Sequence, residues 1–287
     1  MRTSLPRRAR ISLAGAGVGI VLLAVTWYLA HYVAFLRRVD VNILLGFAQL
    51  DRPGLDRVTN AIASSCDPQW YALLVLIPLG MAVARRRLRL AVMIAIVLLA
   101  ANETTELLKP LLTAPRDPVW WSPIGDGSWP SGHATASMTL ALCTVVAAPA
   151  RRRPAVAAAM AAFSLAVCYS FLELGWHYPS DVFGGFLVAS TWTLLGIAVL
   201  TILDARRSAS EAAGVRSGGL VSVSEALIPM AVLLGAGVFA VLLVILARPH
   251  AVIDYAHAHT AFVVGAGAIA ALGLLLASGL TLMLRRG

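Results

Sequence analysis

Trp129-Pro130-Ser131-Gly132-His133, followed by residues 134–149 (ATASMTLALCTVVAAP), is the stretch that decides the fold. A turn-forming group and an imidazole stand directly before a run that carries no charge. The run is short for a bilayer span on its own and reaches the required length, about 20 apolar residues, only with its flanks. The same alternation recurs along the chain. Apolar runs occupy roughly residues 11–35, 70–84, 90–108, 134–149, 155–175, 181–203, 226–247 and 260–284. Eight such runs predict an all-α polytopic membrane helix bundle.

Composition points the same way. Of 287 residues, 59% are hydrophobic and only 13% charged, with a mean hydropathy of +0.82. A soluble globular domain is about 45–50% apolar and about 25% charged, so this chain has too little charge to cover a water-soluble surface. Disorder is excluded as well, because it requires low hydrophobicity and high charge. The net charge of +9 comes from 22 Arg and a single Lys, Lys109. Most of the Arg sit in short clusters between apolar runs: Arg7-Arg8-Arg10, Arg85-Arg86-Arg87-Arg89, Arg151-Arg152-Arg153, Arg206-Arg207 and Arg285-Arg286. That is the distribution of topology signals rather than of a nucleic-acid face. Cys66, Cys143 and Cys168 are odd in number and at no metal-like spacing, so no disulfide framework is expected.

The Arg clusters fall on alternate sides of successive runs, which places all five on one face, expected to be cytoplasmic together with both termini. The opposite face then holds residues 36–69, 109–133, 176–180 and 248–259. Within the first of these, Val39, Val41, Ile43, Leu44 and Phe47 alternate with Arg37, Arg38, Asp40 and Asp51, which reads as an amphipathic interfacial segment. The basic N-terminus and first run resemble a signal peptide, but the run is too long for one and reads as a retained span. Residues 204–225 read as a cytoplasmic linker. The expected organisation is a six-span core over residues 1–203, that linker, and a C-terminal pair of transmembrane helices over residues 226–287.

Three stretches at run ends on the extracytoplasmic side carry polar groups suited to chemistry. They are Lys109 to Arg116, Pro130 to His133, and Ser170 to Asp181. Lys109 and Arg116 are cations in apolar surroundings and call for an anion; a phosphate suits an ammonium and a guanidinium fork. Ser131 and Gly132 open a helix, whose free N–H groups form an anion site. His133 and His177 offer an acid and a nucleophile or base. Asp181 lies four residues after His177, within reach of one imidazole nitrogen. Taken singly each has a simpler reading: a snorkelling Lys, a headgroup-binding Arg, a helix cap. Glu106, three residues before Lys109, reads first as its structural ion-pair partner.

Together the three stretches resemble the signature motifs of the type-2 phosphatidic acid phosphatase superfamily, the metal-independent lipid phosphatases related to vanadium haloperoxidases. The matching patterns are Lys109-x6-Arg116, Pro130-Ser131-Gly132-His133 and Ser170-Phe171-x5-His177-x3-Asp181. The resemblance covers about residues 70–203. Asp117 departs from the family's Pro, and Phe171 from the Arg that is a third basic phosphate ligand; Arg248 and Arg52 are the candidate replacements. The resemblance implies a lipid phosphate or polyprenyl (di)phosphate substrate and no metal or cofactor. It implies His177 as nucleophile, Asp181 orienting it, and His133 as acid and then base. It also implies Lys109, Arg116, Ser131 and Gly132 as phosphate ligands. A bacterial cell-membrane enzyme with an extracytoplasmic site, partnered by membrane lipids and not by nucleic acid, is the expectation. A phosphotransferase on the same scaffold, or a lipid-phosphate binding or transport protein that has lost turnover with the Arg, are the alternatives.

Overall fold

The computed structural model describes residues 5–50, 54, 56–116, 119, 121–122, 124–210 and 222–285. Among them are twelve α-helices and no strands. Helix α1 (Arg7–Tyr32) breaks at extended Val33 into α2 (Ala34–Ala48). Next come α3 (Asp56–Ala63), α4 (Pro68–Leu74), α5 (Leu76–Ala84) and α6 (Leu88–Leu111). Helices α7 (Gly132–Ala147), α8 (Arg153–Glu173) and α9 (Pro179–Ser210) follow. The chain closes with α10 (Val223–Ala247), α11 (Pro249–Ala258) and α12 (Thr260–Leu284).

Among the described residues, six helices are long and apolar enough to cross a membrane: α1, α6, α8, α9, α10 and α12. The other two apolar runs behave differently. Residues 70–84 form the second arm of a pair, Asp56–Cys66 and Pro68–Ala84, bent by 68°. The run at 134–149 becomes α7, too short to pass as a span by length. By length and composition the described residues thus hold six candidate spans, or seven if the bent pair is one, against the eight apolar runs of the sequence. The motif-bearing α7 is instead the centre of the bundle, packed against α6, α8 and α9. Every residue from Ala134 to Ala147 is buried, which is why a helix this short needs no lipid-facing surface.

Two further expectations change. Residues 204–210 continue α9 rather than starting a linker; residues 211–221 lie outside the described residues, and α10 begins earlier than expected, with a Ser222–Glu225 capping box. The apolar face of α2 does not lie in lipid. It packs against α8 and α12, with the Phe47 ring centroid 5.3 Å from Tyr169 and 4.9 Å from Phe262. The C-terminal helices are likewise fixed to the core. Arg153 donates to the Leu284 carbonyl at 2.8 Å and Tyr169 to that of Ala266 at 2.7 Å. Tyr255 of α11 donates to the carbonyl of Gly46 in α2.

The ends of the bundle differ in charge. Arg153 lies within electrostatic reach of Arg8, Arg85 and Arg87, and Arg89 pairs with Asp204 at 3.7 Å. The three motif stretches meet at the other end, where α6 finishes and α7 and α9 begin.

Candidate active site

The site is assembled by a close crossing of α7 and α9. A methyl group on Gly184 would lie 2.8 Å from the Trp129 ring, and one on Gly185 would lie 2.8 Å from the Ser131 carbonyl and the Thr135 nitrogen. Only glycine at both positions lets the backbones approach this far. The Ser131 N–H then donates to the Asp181 carbonyl at 3.0 Å, locking the start of one helix to the start of the other. Neither glycine stood out in the sequence, because Gly-Gly inside an apolar run has no local signature.

The turn that delivers His177 is equally specific. Helix α8 ends with Gly175 at φ +67°. Gly175 N–H donates to the Leu172 carbonyl at 3.1 Å and Trp176 N–H to the Phe171 carbonyl at 2.9 Å. This is the Schellman pattern, in which the left-handed residue satisfies two orphan carbonyls. The chain then reverses into α9 within a few residues and carries His177 over the N-terminus of α7.

His177 Nδ1 lies 3.3 Å from Asp181 Oδ2, which also accepts the Tyr178 N–H at 3.0 Å. The His133 and His177 ring centroids are 6.3 Å apart. His133 Nε2 is 3.0 Å from Asp67 Oδ1. Asp67 precedes Pro68 at the start of α4 but makes no side-chain cap there, so its carboxylate is available to the imidazole. The pair Asp67–Pro68 has the sequence pattern of a helix start. Nothing local shows that its side chain serves another helix.

Both imidazoles, with Lys109 and Gly132, line a cavity of about 630 Å³. Its far end is apolar, formed by Tyr71, Val75 and Leu79 of the bent segment and by Leu98 and Leu99 of α6. Asn102, Glu103 and Glu106 bridge the two ends along α6.

Two of the four expected phosphate ligands are elsewhere. Arg116 is not on the cavity. Its side chain is 5% exposed and its Nη1 is 2.9 Å from Asp181 Oδ1. Its Nη2 donates to Ser180 Oγ at 2.8 Å, and its guanidinium carbon lies 4.5 Å from the Tyr178 ring centroid. A guanidinium fork reads a planar acceptor set well, and here that set is Asp181 with Ser180. Ser131 is fully buried and its Oγ accepts the Ala134 N–H at 3.2 Å as the α7 cap. Lys109 and Gly132 do reach the cavity.

A further residue joins this network from a distance. Asp40 of α2 accepts the Ser180 N–H at 2.9 Å and the Ser180 hydroxyl at 2.6 Å, and lies 3.8 Å from Arg116 Nη1. Burial pushes the Asp40 carboxyl up to about 6, against the pull of Arg116 and the Ser180 hydrogen bonds.

Phe171 is fully buried. Its ring centroid is 5.3 Å from that of His177, edge-on, and 6.0 Å from that of His133. With the imidazole centroids 6.3 Å apart, the three rings form a triangle, and Phe171 packs against both imidazoles from one side as an apolar wall. Arg248 does not replace it: that residue is exposed at the end of α10 and is not among the cavity-lining residues. Arg52 and Asp117 lie outside the described residues. Among the described residues no group of three or more His, Cys, Asp or Glu converges to hold a metal ion.

Comparison with known proteins adds three findings. The family model of the PAP2 superfamily matches residues 19–207. The fold is similar to the crystal structure described as the first transmembrane PAP2-type phosphatidylglycerolphosphate phosphatase from Bacillus subtilis, with a TM-score of 0.53 and 19% identity over 67% of this chain and 96% of that one. No curated protein matches.

Proposed function

The chain belongs to the PAP2 superfamily, and from that premise we propose that it is an integral-membrane lipid phosphatase working through His177. The observation that carries this reading is the cavity itself. One compartment holds two imidazoles with centroids 6.3 Å apart, each bonded to its own carboxylate, beside Lys109, the one lysine of the sequence, and the N-terminus of α7. The apolar remainder of the same compartment suits an acyl or prenyl chain. A soluble phosphate ester would have no use for it.

In the proposed reaction a phosphoryl group sits against Lys109 and the Gly132 end of α7, where an ammonium and helix N–H groups stabilise developing negative charge. The Asp181 carboxylate holds the Nδ1 proton of His177, which leaves Nε2 as the nucleophile. His177 attacks phosphorus while His133 gives its proton to the leaving oxygen. The phosphohistidine is then hydrolysed by a water that His133 deprotonates. Asp67 supports the positive charge that His133 carries as the acid. Arg116 acts one step back, fixing the carboxylate of Asp181 and the first turn of α9 through Ser180.

The substrate is a lipid monophosphate or polyprenyl (di)phosphate, and the site faces the extracytoplasmic side of a bacterial cell membrane. The orientation rests on the gathering of Arg at the end of the bundle opposite the cavity, since Arg-rich loops stay in the cytoplasm. A membrane-impermeant thiol reagent applied to intact cells should label a cysteine at position 126 and spare one at position 213. The reverse pattern overturns the orientation. For the activity, purified protein should release phosphate from lipid phosphates in the presence of EDTA. Failure across a panel of lipid mono- and diphosphates overturns the function.

A further inference from the structure

We propose that Glu106 competes with the phosphoryl group for Lys109, weakening phosphate binding at the site, and so keeps free inorganic phosphate off it. The inference rests on the phosphatase reading above. It starts from the charge inventory of the cavity. Arg116 is committed to Asp181 and Ser180, and Phe171 stands where a third cation would be. Lys109 is the cation among the residues lining the cavity.

Lys109 is already engaged. Its Nζ lies 2.6 Å from Glu106 Oε1. The Glu106 side chain is 60% exposed and that of Lys109 26%, so as an i,i+3 pair alone it would be a minor contact; its place beside the start of α7 is what gives it a role. A methyl group on Gly132 would meet Glu106 Oε1 at 3.3 Å and Lys109 Nζ at 3.6 Å. The Glu106 carboxylate and the ammonium therefore rest side by side against the first residue of α7. The ammonium and the start of α7 are what the cavity offers to an anion. A carboxylate there occupies the station of a phosphoryl oxygen.

Any phosphate that binds must displace or crowd this carboxylate. The penalty is the same for every phosphate, but its consequence is not. A lipid phosphate adds the burial of its chain along Tyr71, Val75 and Leu99 and reaches occupancy in spite of the penalty. Inorganic phosphate brings no apolar surface and stays weakly bound. The product thus leaves and ambient phosphate does not block turnover. Glu103, one turn earlier and also on the cavity, adds a second negative charge along the same wall.

The test is inorganic phosphate binding to the purified full-length chain in detergent, measured by titration calorimetry. Glu106→Gln keeps the shape and removes the charge, and should tighten phosphate about tenfold, the scale of one charge-assisted interaction. Product inhibition by phosphate should appear with it. Asp254→Asn, which removes the same charge from exposed α11, should leave phosphate binding unchanged. Glu106→Ala serves as the second variant if the Gln form does not fold, with the same expectation. Unchanged or weaker phosphate binding in the folded variant overturns the inference. Lipid phosphate turnover in the wild type decides the phosphatase reading separately. Turnover without the tightening sinks only the role of Glu106, and tightening without turnover sinks only the phosphatase.

Discussion

Asp67 Oδ1 lies 3.0 Å from Nε2 of His133. The imidazole that follows Pro130-Ser131-Gly132 is thereby braced by a carboxylate, as His177 is by Asp181. Burial lowers the His133 pKa, and the Asp67 carboxylate works against that lowering, favouring the protonated ring that a general acid needs.

Asp67→Asn should therefore slow the hydrolysis of alkyl lipid phosphates by about 10²-fold, the low end of a general acid's contribution. A phosphate ester with an acidic phenol as leaving group needs little protonation and should lose far less. Equal losses on both substrates, measured as kcat/KM, would mean that Asp67 only holds the α4 end in place.

Arg116→Lys separates two roles. The guanidinium touches Asp181 at 2.9 Å and Ser180 at 2.8 Å from two different nitrogens, a geometry that an ammonium cannot reproduce. The variant should lose kcat by about tenfold or more, the scale of a lost charged hydrogen bond, while vanadate inhibition changes by less than about threefold. A tenfold loss of vanadate affinity with kcat kept would show that Arg116 leaves Asp181 to hold the phosphate.

The network around Arg116 also sets a pH dependence of stability. Burial raises the folded-state pKa of Asp40 from 3.8 to about 6. Between those values the unfolded chain is already ionised while the folded chain keeps the proton. The Asp40 contribution to stability is thus present at low pH and lost as pH rises through about 6. Asp40→Asn has no such group. The difference in unfolding temperature, variant minus wild type, should climb between pH 4 and 6 and level off above that window. A flat difference would mean that Asp40 is ionised throughout.

Much of this was legible in the chain and part of it was not, for a physical reason. Apolar runs and Arg clusters are local signals, and they identified a helical membrane bundle with the motif stretches at one end. Lys109, Gly132, His133 and His177 were found at their spacing, and all four line one cavity. What escaped is what depends on contacts distant in sequence. Asp67 meets a partner 66 residues away, Arg116 one 65 residues away and Asp40 one 140 residues away. Arg116 is expected on the phosphate as a cation in apolar surroundings, and Ser131 from its place at a helix start and from the family resemblance. Their side chains are instead taken up by Asp181 and by the first turn of α7. The bend that turns residues 70–84 into half of a cavity wall also has no periodicity to announce it.

The most direct measurement is rapid-quench labelling of the purified protein with a lipid substrate carrying 32P at the phosphoryl group to be transferred. An acid-labile, alkali-stable phosphoenzyme should form within the first turnover and map to His177. His177→Ala should fold, carry no label and release no phosphate, because it lacks the nucleophile. Label or turnover surviving in His177→Ala would contradict covalent catalysis by this residue and would move the chemistry away from the Asp181-braced imidazole.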